Sequence, residues 1–110
     1  MSKRKRELIG RLEAYYRGFG WRVERAEDGT VRAAGPGGVT WIGLAVVPED
    51  LAAAGFDARL LALSEQRMPH GELCPLELLP ADECAGDLRA VLERLRLSER
   101  GHVEVYSLAA

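Results

Sequence analysis

Four side chains able to bind zinc stand in the second half of the chain: His70, Cys74, Cys84 and His102. Short zinc loops repeat their ligands in pairs, as C-x₂-C or H-x₃₋₅-H, so that one turn presents both to the ion. These four follow no such pairing, and Cys84 falls on an apolar helical stripe. They read as buried structural thiols and ordinary turn histidines, and no metal is expected. Gly35-Pro36-Gly37-Gly38 is glycine-rich like a phosphate loop, but it matches neither G-x-G-x-x-G nor G-x-x-x-x-G-K-[ST], and a strand follows it where a phosphate loop needs a helix. A hairpin connection explains it better. Ser64 and Ser98 have no histidine and acid partners in sequence, although triads assemble in space. No cofactor is expected.

The basic residues point to a different chemistry. Lys3, Arg4, Lys5, Arg6, Arg11 and Arg17 crowd the start of the chain, and Tyr15, Tyr16, Phe19, Trp21 and Trp41 follow among and after them. Cations attract a phosphate backbone, and aromatic rings can stack on bases. Residues 1–33 carry nine Lys or Arg against five Asp or Glu, a net +4; residues 34–110 carry six against twelve, a net −6. Nucleic-acid contact should therefore be confined to one face, and the bland alternative is a solvated surface with a flexible basic tail over residues 1–5. For Tyr15, Phe19 and Trp41 the helix or strand phase favours a place in the core; Tyr16 and Trp21 are left open.

These residues must be positioned by one domain. The 110 residues, 47% of them apolar and 29% charged, suit a single hydrophobic core over 1–110. No apolar run approaches the roughly 20 residues of a membrane span, and no secretion signal is read, so the expectation is a cytoplasmic protein with no membrane partner.

Along the chain, Leu8, Leu12, Tyr15 and Phe19 recur at helical spacing with Lys3, Arg6, Glu13 and Arg17 opposite, an amphipathic helix stopped by Gly18 and Gly20. Trp21–Ala26 alternates, Glu27–Thr30 turns, and Val31–Ala34 returns as a hairpin. Val39–Val47 is almost continuously apolar, as in a strand covered on both faces. Pro48-Glu49-Asp50-Leu51 opens a helix that Gly55 interrupts. Residues 57–68 are ambiguous between helix and strand, with helix favoured by their helix-forming composition. Leu73–Leu79 reads as a strand, at an edge or bulged because of Pro75. A clear helix from Pro80 buries Cys84, Leu88, Val91, Leu92 and Leu95, and Val103–Leu108 is a closing strand.

This order of helix, three-stranded meander, helix, strand, helix, strand resembles the PD-(D/E)XK, or restriction-endonuclease-like, superfamily. Four passages carry the resemblance: the opening helix ending in Gly18-Phe-Gly-Trp-Arg-Val23; Val31-Arg-Ala-Ala34 with Trp41-Ile-Gly-Leu-Ala-Val46; the helix before Leu76-Glu-Leu-Leu-Pro80; and the last helix leading to Val103-Glu-Val-Tyr106. It implies an α/β (mixed α+β) fold with a central mixed sheet flanked by helices. It also implies a carboxylate near the second strand and an acid-x-lysine triplet on the third, which hold Mg²⁺ and activate water. Here those places hold Thr30, Val31 and Gly43-Leu44-Ala45-Val46-Val47, with Asp28 the nearest acid. Pro48-Glu49-Asp50 and Glu65-Gln66-Arg67 imitate a displaced motif, which makes Asp28, Asp50 and Glu65 the candidate catalytic residues.

The sequence reading is thus a nuclease-like binding or regulatory module without catalysis, contacting DNA or RNA through Lys3, Arg4, Lys5, Arg6, Arg11 and Arg17. Two alternatives stand beside it. One is a protein-interaction or homodimerisation module using the edge at Val103–Leu108 or the apolar third strand. The other is a metal-dependent nuclease with a displaced site.

Overall fold

The computed structural model describes residues 2–106. An α+β fold is built on one five-stranded mixed sheet in the order β1-β2-β3-β4-β5. Its elements are α1 (Lys3–Arg17), β1 (Arg22–Arg25), β2 (Val31–Ala34), a 3₁₀ turn (Pro36–Gly38), β3 (Thr40–Val46), α2 (Pro48–Ala52), α3 (Phe56–Ser64), β4 (Leu76–Pro80), a 3₁₀ turn (Asp82–Cys84), α4 (Ala85–Arg94) and β5 (Val103–Val105). β1, β2 and β3 form an antiparallel meander, whereas β3, β4 and β5 run parallel. Parallel neighbours require a crossover, and α2 with α3 supplies the first and α4 the second.

Ser2 caps α1 by accepting a hydrogen bond from the Lys5 amide at 3.1 Å. Residues 3–5, expected as a basic tail, are therefore the first turn of the helix. Successive strand residues face opposite sides, so the register assigns each face its residues. Trp21, Val23, Val31, Ala33, Trp41, Gly43, Ala45, Glu77 and Leu79 lie on the α1 side. Small residues at 33, 43 and 45 let α1 lie close. On the other side Ile42, Leu44, Val46, Leu76 and Leu78 meet the side chains of α3 and α4, where Leu60, Leu63, Leu88 and Leu92 are buried.

Several expectations hold and others change. Residues 57–68 are helical as far as Ser64, with Leu60 and Leu63 buried and Leu61 exposed. β3 is covered on both faces, as its composition implies, which removes it as an interaction surface. β4 is not an edge strand. Pro75 precedes it, and the Pro75 carbonyl accepts from the Ile42 amide at 2.9 Å, so the missing N–H costs the ladder nothing. All five β4 residues are buried. β5 ends at Val105, and residues 107 and 108 of the expected closing strand lie outside the described residues.

α4 ends in a left-handed residue: Arg96 has φ 63°. The Leu97 amide donates to the Leu92 carbonyl at 2.8 Å, a C-terminal cap that buries Leu97 and ordinarily uses glycine at the Arg96 position. A side chain in this conformation costs about 1–2 kcal/mol. Arg96→Gly is expected to raise unfolding stability by up to about 1 kcal/mol, part of the gain being offset by the freer unfolded chain. Urea denaturation checks this, and a lower midpoint for the variant contradicts it.

Candidate functional site

Gly43 stands on β3, where the resemblance expects a catalytic acid. A Cβ there would meet Tyr16 Oη at 3.0 Å and Tyr16 Cε2 at 3.1 Å, because α1 presses the Tyr16 ring against the strand. Any larger side chain must displace that ring, which is fully buried. The place for an acid on β3 is thus filled by a tyrosine from the helix above.

A carboxylate occupies the same row one strand over. Glu77 pairs across the sheet with Gly43, and Glu104 with Glu77, so all three lie on the α1 side. Glu77 is buried, and both its oxygens are used: Tyr16 donates to Oε1 at 2.5 Å and Tyr106 donates to Oε2. Burial raises the Glu77 carboxyl, the Tyr16 hydrogen bond pulls it down in part, and the Glu104 charge adds to the rise. Tyr16 in turn is pushed far above the ordinary tyrosine range by burial and then by its bond to Glu77. With both oxygens engaged by hydroxyls, Glu77 serves as an anchor for α1 and the chain after β5.

The acids named from the sequence do not gather. Asp28 lies in the β1–β2 turn and accepts from the Thr30 amide at 3.0 Å and the Thr30 hydroxyl at 2.6 Å, while Arg59 donates to its backbone carbonyl. Partial desolvation pushes this carboxyl up, but the Thr30 bonds and the Arg59 and Arg32 charges outweigh it and hold the group low. Asp50 sits in the first turn of α2, accepting from the Val47 amide at 2.9 Å and from Lys5 Nζ at 2.8 Å through each oxygen. Glu65 closes α3 and pairs with Arg100 at 2.8 Å, which lowers its carboxyl. Asp50 and Glu65 are thus in separate ion pairs and Asp28 is closed by Thr30, and among the described residues no group of three or more His, Cys, Asp or Glu is placed to hold a metal.

The zinc set disperses in the same way. Cys74 and Cys84 are free and buried, each thiol pushed up by desolvation. His102 Nε2 lies 2.7 Å from the Ser64 carbonyl oxygen, and His70 is in an exposed turn.

The basic residues divide. Lys3, Arg4 and Arg11, with Glu7 and Leu8, line one side of an open cleft of about 540 Å³, and Leu79, Pro80, Ala81 and Asp82 line the other. Arg4 spans the cleft to Glu83 at 2.5 Å. Arg6 is exposed on the same helix, and Arg17 is exposed at its far end with Glu13 3.9 Å away. Lys5 is the exception: its side chain is buried on the inner face, and its ammonium is consumed by Asp50. A buried charge taken from its partner is strongly destabilising, so Lys5 joins α1 to α2 and is not a binding residue.

Of the aromatic residues expected in the core, Tyr15 and Trp41 pack partly buried against it and Phe19 does not. Tyr16 belongs to the core, whereas Phe19 is 54% exposed, because α1 ends at Arg17 and helical phase no longer governs residue 19. Trp41 stacks on Trp21 at 4.3 Å and Trp21 on Phe19 at 4.8 Å, while Tyr15 meets Phe19 and Tyr106 edge-on. Sequence reasoning missed Glu77 and Tyr106. The available signal was a lone acid inside Leu76-Glu-Leu-Leu79: a strand buried on both faces can hold a carboxylate only where donors meet it.

Because the folded state binds the Glu77 proton more tightly than the unfolded chain does, this group's favourable contribution is complete below the ordinary value of 4.5 and is lost as pH rises above it. Glu77→Gln cannot titrate and is the close neutral mimic of the protonated carboxyl, so at acid pH its stability should lie within about 1 kcal/mol of the parent's. From pH 4.5 towards neutrality the parent should lose stability relative to the variant in urea melts; a parent that gains on the variant as pH rises contradicts the assignment.

Compared with family models, with curated proteins and with solved structures, the chain matches none.

Proposed function

We propose that this chain is a nuclease-like binding module that holds a nucleic-acid backbone in the cleft beside α1 without cutting it. The observation that carries the reading is the gathering of Lys3, Arg4 and Arg11 along one open cleft. Backbone recognition of this kind needs clustered cations and no base-edge donors. Glu7 and Asp82 in the same lining, with Glu83 paired to Arg4, offset much of the local charge, so a phosphate must displace Glu83 from Arg4 and the contact is weak and salt-sensitive.

The nuclease-like part rests on the element order, which follows the resemblance from the opening helix through the meander and the two parallel strands. The absence of cutting rests on Tyr16 over Gly43 and on the dispersal of Asp28, Asp50 and Glu65 among Arg59, Lys5 and Arg100. A displaced metal site would have to break the Asp50–Lys5 and Glu65–Arg100 pairs. The protein-interaction reading keeps one specific support, the outer edge of β5 beside a hollow of about 180 Å³ lined by Leu92, Val103 and Val105.

Three phosphate contacts predict a slope of about −2.7 in log affinity against log salt for duplex DNA, which is roughly 40-fold weaker binding at 200 mM than at 50 mM. Arg11→Ala should reduce that slope by about one. Fluorescence anisotropy with labelled duplex across a salt series measures both. No binding at low salt, or a slope untouched by Arg11→Ala, overturns the reading.

A further inference from the structure

The cations of α1 do not end at the cleft. The helix has 15 residues, about 22 Å at 1.5 Å per residue, and its solvent side carries Lys3 and Arg4 at one end, Arg11 at its middle and Arg17 at the other. Immediately beyond Arg17 the chain turns through Gly18-Phe19-Gly20, and Phe19 comes out into solvent. Its ring is nearly parallel to Trp21, 27° between planes, and Trp21 to Trp41, 24°. Phe19 thus ends a run of three stacked rings fixed from below by the sheet, at the end of a basic track.

A single exposed phenylalanine needs no explanation. A rigid, pre-stacked one beside a cation track has the two parts that single-stranded nucleic acid requires: charges that follow the backbone and an aromatic face that takes a base. A duplex keeps its bases stacked inside and cannot use Phe19. A strand of about six stacked nucleotides, at ~3.4 Å each, matches the length of α1.

We propose that the preferred ligand is single-stranded nucleic acid, its backbone lying along Lys3, Arg4, Arg11 and Arg17 and one base stacking on Phe19. This rests on the nucleic-acid reading above and adds to it strand form and the stacking residue. Arg17 is available for the contact, since its side chain is 59% exposed and its nearest acid is 3.9 Å away.

The test compares a labelled oligodeoxythymidine of about 12 nucleotides with a duplex of equal length, at low salt, using the parent chain, Phe19→Ala and Phe19→Trp. The single strand should bind the parent more tightly than the duplex does and should quench tryptophan fluorescence. Phe19→Ala should weaken single-strand binding about tenfold with an unchanged salt slope and leave duplex binding unaltered, and Phe19→Trp should restore it. Single-strand binding unchanged by Phe19→Ala, with the duplex salt slope still lowered by Arg11→Ala, overturns this inference and leaves the backbone reading standing. Binding of neither probe overturns both. Light scattering closes the remaining route: a dimer that Phe19→Ala dissociates would assign the ring to a second copy of the chain and overturn the inference.

Discussion

The Glu77 carboxylate, buried between the hydroxyls of Tyr16 and Tyr106, is the interaction on which the α1 side of this structure depends. An ionisable group in the interior is tolerated only where donors replace the water it has lost. Those donors come from residues 61 and 29 positions away in the chain, so satisfying Glu77 fixes where the opening helix and the segment after β5 must lie. Gly43 assists, because a Cβ there would already crowd the Tyr16 ring at 3.0 and 3.1 Å as it reaches across β3 to β4. Lys5 with Asp50 repeats the principle at the other end of α1. The helix is thus pinned near both ends by polar contacts and along its middle by Leu8, Ile9 and Leu12.

That arrangement links architecture to the proposed function. Tyr16 fills the place where a nuclease-like β3 would carry an acid, and the carboxylate that shares its row is closed by two hydroxyls. What remains accessible is the outer surface of the helix held there: cations towards the cleft, then Arg17 and the Phe19 ring. A rigid platform of Trp41 and Trp21 beneath Phe19 removes much of the entropic cost of ordering an exposed aromatic. The proposed binding surface and the filled space above β3 both follow from the close seating of α1 on a strand that carries glycine.

How much of this was legible in the sequence depended on the range of the interactions. The amphipathic stripe of α1 and the continuous apolar run of β3 are local patterns that give elements near their expected bounds; the stripe of α4 gives a helix too, but one that starts at Ala85 and not at Pro80, because Pro80 closes β4 and Asp82–Cys84 form a 3₁₀ turn. Pro75 misled because its effect depends on which strand lies beside it: placed just before β4, it lends a carbonyl to Ile42, and the strand behind it is interior. Phe19 misled because helical phase was extended two residues past Arg17, where the chain had already turned. Lys5 looked like its basic neighbours, yet helical phase sets it on the buried side, and only Asp50, 45 residues on, explains why it can stay there. Glu77 shows in the sequence only as a lone acid within an apolar strand, its partners being non-local.

The central claim is that Tyr16 and Glu77 are energetically coupled and not merely adjacent. A double-mutant cycle with Tyr16→Phe, Glu77→Gln and the combined variant, measured by equilibrium urea unfolding near pH 5, isolates that coupling from the separate costs of each change. The account predicts a coupling of about 0.5–1.5 kcal/mol, the range for a hydrogen bond to a largely neutral carboxyl. Additive effects, with coupling below about 0.3 kcal/mol, would contradict it.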